Sequence, residues 1–229
     1  LDGVFNPDYS QIEADANQIS VNNRFALYLP ERRPFFLEGA DIFDMRVPVR
    51  SSRALGRTVI PFYSRSVGRP DFAMKLTGQQ GSVRVGAFFA TDPEAPDSTS
   101  DDFTMHAADP EDPELEHVYE TRRVLTTVAR AQVDISSKAT LGAVVVERDW
   151  LGDGERVANN LVFGADGQAY LSKALNLESA WFGSVASDLN DQELSGYAGQ
   201  TRVSWKTEDY RVFLYQQSVS DEFRSEAGF

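Results

Sequence analysis

From Pro61 onward, apolar and polar residues alternate with a period of two. The stretch SGYAGQTRVSWK, residues 195 to 206, puts Tyr197, Thr201, Val203 and Trp205 on one face. Gly196, Ala198, Gln200, Arg202, Ser204 and Lys206 fall on the other. This is the pattern of a strand with one apolar face and one polar or small face. At 160–173, Leu161, Phe163, Ala165, Ala169 and Leu171 oppose Asp166, Gln168 and Ser172. At 123–135, Leu125, Ala129, Ala131, Val133 and Ile135 oppose Arg130, Gln132 and Asp134. Eight strands are predicted, over 71–78, 82–91, 122–135, 139–149, 160–172, 176–187, 194–206 and 209–218, with a ninth expected at 60–66.

The links between these strands alternate in length. Short ones are predicted at 78–81, 135–139, 173–176 and 206–209, and longer ones at 92–120, 149–159 and 188–193. In an up-and-down meander, successive links fall at opposite ends of the sheet. All short turns then share one end, as in outer-membrane barrels with short periplasmic turns and long extracellular loops. The strands also have the length that a tilted bilayer crossing needs. Trp150, Trp181, Trp205, Tyr210 and Tyr215 are candidates for an interfacial aromatic girdle. The expected fold is all-β: an antiparallel up-and-down meander of eight or nine long strands, part of an outer-membrane β-barrel. A soluble β-sandwich or meander is the competing reading.

Residues 1–57 show no sustained period. They hold eight acids, seven arginines and prolines at 7, 30, 34 and 48. A short helical turn is expected around Asp8 to Ala16. Phe35, Phe36, Leu37, Ile42 and Phe43 require burial, so this part is expected to lie against the rest of the protein. Two regions follow: an irregular plug or junction over 1–57 and the meander over 58–229. The stretch FRSEAGF at 223–229 alternates poorly and reads as a loop. The chain opens on Leu1 and shows no signal peptide, so a fragment or a processed product is expected.

Composition narrows the function. The chain has 229 residues, and its net charge of −13 argues against a nucleic-acid partner. With no cysteine, disulfides, thiolate metal sites and a cysteine nucleophile are excluded. The two histidines, His106 and His117, lie in one acidic stretch, a poor setting for a Ser-His-Asp triad. That stretch, 92–120, contains eleven acids but no calcium-loop spacing, and reads as a solvated loop. No cofactor and no metal are expected.

The candidate site lies in three dense motifs: NPDYSQIEAD at 6–15, PERRPFFLEGADIF at 30–43 and YSRSVGRP at 63–70. Asp8, Glu13, Asp15, Glu31 and Glu38 supply carboxylates, and Arg32, Arg33, Arg65 and Arg69 supply guanidiniums. An ion-pair network that fixes the N-terminal segment in a barrel mouth is the expected role. Glu13, Glu31 and Glu38 are also the members of any carboxylate pair suited to glycoside hydrolysis.

The three motifs, in this order and spacing, resemble a group of bacterial proteins of unknown function. Those proteins join a sandwich like that of carbohydrate-binding-module family nine to a predicted outer-membrane barrel. Their pattern runs Asn-Pro-Asp-Phe-x-Gln-Val-Glu-Ala-Asp, then Glu-Lys-Arg-Pro-Phe-Phe-Leu-Glu-Gly, then Tyr-x-Arg-Arg-Ile-Gly. Here Tyr9 stands for Phe, Arg32 for Lys and Ser66 for the second Arg. The resemblance covers about 40 residues and implies the junction and first barrel strands. It implies an envelope protein in contact with outer-membrane lipid, with extracellular loops, that binds or passes a solute such as a glycan or peptide. A carbohydrate-active surface hydrolase and a soluble β-sheet binding module are the alternatives.

Overall fold

The computed structural model describes residues 1–5, 7, 30–43, 59–93, 123–152, 154–187 and 192–228. Nine antiparallel strands form one sheet in sequence order. They are β1 (Asp2–Phe5), β2 (Phe72–Gln80), β3 (Val83–Asp92), β4 (Arg123–Ser136), β5 (Ala139–Gly152), β6 (Glu155–Tyr170), β7 (Leu175–Ser187), β8 (Glu193–Lys206) and β9 (Arg211–Val219). The sheet is an up-and-down meander and is not closed; β1 and β9 are its edges.

All eight predicted strands are present. The ninth is not at 60–66, where Ser64–Ser66 forms a 3-10 turn instead. Pro61 removes a backbone donor there, and the segment lies on the sheet rather than within it. The ninth strand is β1, whose Phe5 pairs with Phe72 and Asp2 with Lys75. Four residues are too few for a period of two to show, so 1–57 is not irregular throughout. The helical turn expected at Asp8 to Ala16 lies outside the described residues.

Strand ends also depart from expectation at 149–159. β5 continues to Gly152 and β6 begins at Glu155, with Gly154 in the left-handed region at φ 85°. No long link exists there. A register shift at Trp150/Leu151 absorbs one residue and lets the ladder continue through a polar stretch. Backbone pairing, not apolar periodicity, defines this hairpin.

The two faces of the sheet differ. The inner face carries Ala73, Phe88, Ala90, Val128, Val144, Val146, Val162, Ala180 and Phe182, all buried. Three non-strand segments cover them: 30–43, 59–68 and 221–228. The first contains helix α1 (Pro34–Leu37) and a 3-10 turn at Ala40–Phe43, which bury Phe35, Phe36, Ile42 and Phe43. Pro34 opens the helix, where a missing N–H costs nothing. Phe88 sits at the centre of the aromatic cluster, with ring centroids 5.7 Å from Phe36 and 5.3 Å from Phe62. Gly86 makes room for this wedge, because a Cβ there would lie 2.8 Å from Ile42 Cγ2.

The tail crosses the inner face obliquely. A Cβ on Gly196 of β8 would lie 2.3 Å from the Phe223 nitrogen. The Arg224 N–H donates to Ser184 Oγ of β7 at 3.0 Å, and the Glu226 N–H to Asn160 Oδ1 of β6 at 2.9 Å. Arg148 of β5 donates to the Glu226 carbonyl at 3.0 Å. The Ala227 carbonyl then accepts the Tyr63 N–H at 2.7 Å. Trp150, a girdle candidate, points inward and is buried at 2% exposure beside Arg148. Tyr215 also faces inward, donating to Gln200. Neither lies on the outer face, because the parity of their strands places them opposite it.

Phe88→Ala is expected to cost about 3–5 kcal/mol, by removing the ring on which the wedge rests. Chemical denaturation of the variant against the parent measures this.

Candidate functional site

Four of the predicted site residues sit on the wedge at 30–43, and two on the turn it meets. Arg33 is 2% exposed, and all five of its guanidinium N–H donors are taken. Nε donates to Glu31 Oε1 at 2.9 Å and Nη2 to Glu31 Oε2 at 2.8 Å. The remaining donors reach the carbonyls of Val67 at 2.7 Å, Gly68 at 2.9 Å and Ser64 at 2.8 Å. The Arg33 guanidinium also stacks 4.0 Å from the Phe36 ring centroid. A planar fork with five donors suits this cradle, and lysine does not.

Glu31 completes the clamp. Its Oε1 accepts the backbone N–H groups of Arg32 and Arg33, each at 2.9 Å, and its Oε2 accepts Ser64 Oγ–H at 2.6 Å. Burial alone would raise its pKa. The hydrogen bonds and charge of Arg33, with Ser64, outweigh burial and hold the carboxyl at about 2, against an ordinary 4.5. An acid this strong is ionised at neutral pH and has no proton to give, so Glu31 is unsuited to the acid role in glycoside hydrolysis.

The other predicted residues play different parts. Glu38 contributes its carbonyl, which accepts from Lys75; Lys75 Nζ also donates to the Phe35 carbonyl at 2.6 Å. Arg65 donates to the Pro30 carbonyl at 3.2 Å. Arg69 offers its backbone N–H to Asp92 Oδ2 at 3.0 Å, beside the Gly68 N–H at 2.6 Å. Arg32 is exposed. Asp8, Glu13 and Asp15 lie outside the described residues. Among the described residues, Glu31 and Arg33 of this set form an ion pair at 2.8 Å, surrounded by backbone carbonyls of the 64–68 turn.

Several inner-face charges escaped the motif reading. Arg130 and Asp166 form a two-pronged pair at 2.6 and 2.9 Å across Gly142. A Cβ on Gly142 would stand 2.8 Å from Asp166 Oδ1 and 2.9 Å from Arg130 Nη2. Glu178 and Arg202, opposite each other in register, pair at 2.6 Å. Their signal was present: Arg130, Asp166, Glu178 and Arg202 all hold inward parity on their strands. Among the described residues, no cluster of metal-ligating side chains occurs.

Arg33→Ala is expected to cost about 3–5 kcal/mol, because it strands Glu31 and three carbonyls. Arg33→Lys should recover little of this. The Glu31 contribution is complete above pH 4.5 and disappears as pH falls toward 2. Thermal unfolding across that window should show the loss, and Glu31→Gln should flatten the dependence. Comparison with protein-family models, curated proteins and solved structures finds no match to this chain.

Proposed function

We propose that this chain forms part of an outer-membrane β-barrel that binds or passes a solute, with its loops extracellular and the 30–43 and 59–68 segments filling part of the lumen. The observation that supports this reading is the distribution of charge on the outer face. Among the described strand residues, the outward positions with charge are Arg123, Glu147, Asp149, Arg156 and Glu193. All lie toward the end of the sheet opposite the β2–β3, β4–β5, β6–β7 and β8–β9 turns. Beyond them the outward positions are apolar or uncharged, including Met74, Leu76, Val85, Leu141, Val145, Phe163, Val185 and Leu214, each at least 42% exposed.

The dimensions are compatible. Outward positions on β4 run from Leu125 to Ile135. Ten steps of about 3.3 Å, tilted by about 40°, span about 25 Å, the height of a barrel's apolar band. Tyr197 lies toward one end of β8 and Trp205 at the other, where interfacial aromatics belong. Outward glycines are covered by rings: a Cβ on Gly199 would meet Trp181 at 2.2 Å, and one on Gly183 would meet Phe163 at 2.8 Å. A monomer in water rarely leaves so large an apolar surface bare. The part of the inner face that carries the Arg130–Asp166 and Glu178–Arg202 pairs has the polarity of a lumen. The three N-terminal motifs, through their resemblance to barrel-bearing envelope proteins, point the same way.

The test is envelope fractionation of the intact protein, followed by gel migration with and without boiling in detergent. A heat-modifiable band from the outer membrane is expected. A soluble band of fixed mobility would overturn the proposal and favour a soluble β-sheet binding module. Val145→Arg sharpens the test. At the mid-height of a lipid-facing strand it should cost about 2–4 kcal/mol. On a water-facing surface the change should stay within about 0.5 kcal/mol.

A further inference from the structure

The inner face is not uniform from edge to edge. Near the short turns of β6 to β9, its residues are polar and aromatic. Tyr170, Asn176, Ser204 and Phe213 stand opposite one another in register across the four strands. Tyr170 is 51% exposed and Phe213 57% exposed. Three strand spacings separate these two rings by about 14 Å, with the small Asn176 and Ser204 between them. The next row holds Gln168, Glu178, Arg202 and Tyr215. The arrangement is a trough with an aromatic wall at each end and a floor of amides and hydroxyls.

We propose that this trough binds a neutral oligosaccharide. The inference rests on the reading of the inner face as the solute-binding surface, and it names the class of solute. Three features set that class. The charges are internally compensated: Glu178 pairs with Arg202 at 2.6 Å, and Asp166 with Arg130 at 2.6 Å. A site built to hold an ion would leave one sign uncompensated. The rings are exposed despite facing inward, and a pyranose offers them a flat C–H surface to stack on. Between the rings lie side chains that donate and accept in the same small space, as a ring of hydroxyls requires. A peptide strand would instead seek backbone partners at a sheet edge. The length of the trough fits a short chain of sugars better than a single ring.

The intact protein, purified in detergent, would be titrated calorimetrically with maltopentaose, cellopentaose and chitopentaose, and with inorganic phosphate. Saturable binding of at least one saccharide is expected, without competition from phosphate. Phe213→Ala and Tyr170→Ala should each weaken it about threefold to tenfold, while Val212→Ala on the opposite face should not. Both rings are exposed, so circular dichroism should show folding intact. No saturable binding by any of the three, competition by phosphate, or unchanged affinity in both alanine variants would overturn the proposal. The same preparation run with and without boiling separates the two readings. A heat-modifiable protein that ignores all three sugars defeats the binding site alone. One that binds sugar without heat-modifiable migration keeps the site and defeats the membrane assignment.

Discussion

The Arg33 guanidinium holds the interior together. Its five N–H groups reach Glu31 and three carbonyls of the 64–68 turn, so one side chain joins two segments more than thirty residues apart in sequence. The apolar wedge depends on that join. Phe35, Phe36, Ile42 and Phe43 sit on four-residue elements that are far too short to hold their shape alone. Held by Arg33 on one side and by Lys75 beneath the Phe35 and Glu38 carbonyls on the other, they present a fixed surface to Phe88. A buried cation is costly unless every donor is satisfied, which is why the surrounding main chain turns its oxygens inward.

The sheet was legible in the sequence because alternation survives wherever one face differs from the other. Leu125 to Ile135 and Leu161 to Leu171 announced their strands directly. The signal failed at strand ends, where Glu147 to Arg156 are held by backbone pairing and a register shift rather than by apolar parity. It also failed at β1, which is too short for a period to appear. Within the site, Glu31 and Arg33 were legible as a charged pair beside aromatics. What could not be read was the choice of partners. Carbonyl acceptors have no letter in a sequence, so Lys75 and the 64–68 turn were invisible as counterparts. Asp92 was hidden for a related reason: it opens a long acidic stretch, yet its carboxylate caps the Gly68 and Arg69 N–H groups.

Small residues set the close approaches on both faces. Gly86 admits the wedge, Gly142 lets Arg130 reach Asp166 across a strand, and Gly183 and Gly199 receive aromatic rings. In each case a missing Cβ supports a larger group next door. This explains how strands with little bulk of their own sustain a dense inner layer and a smooth outer one. It also explains the Arg130–Asp166 pair, whose partners on β4 and β6 are separated only by Gly142 of β5.

The oblique path of residues 221–228 has a mechanical consequence. Strands in a meander resist separation through their ladders, but each is free to slide along its neighbour by one rung at modest cost where side chains are interchangeable. The tail removes that freedom by fastening to Ser184 on β7, Asn160 on β6 and Arg148 on β5, while pressing on Gly196 of β8. A slip between any two of these strands would carry one fastening point away from the others by about 6.6 Å, two residues of strand. The segment without regular structure thus acts as a cross-brace against shear.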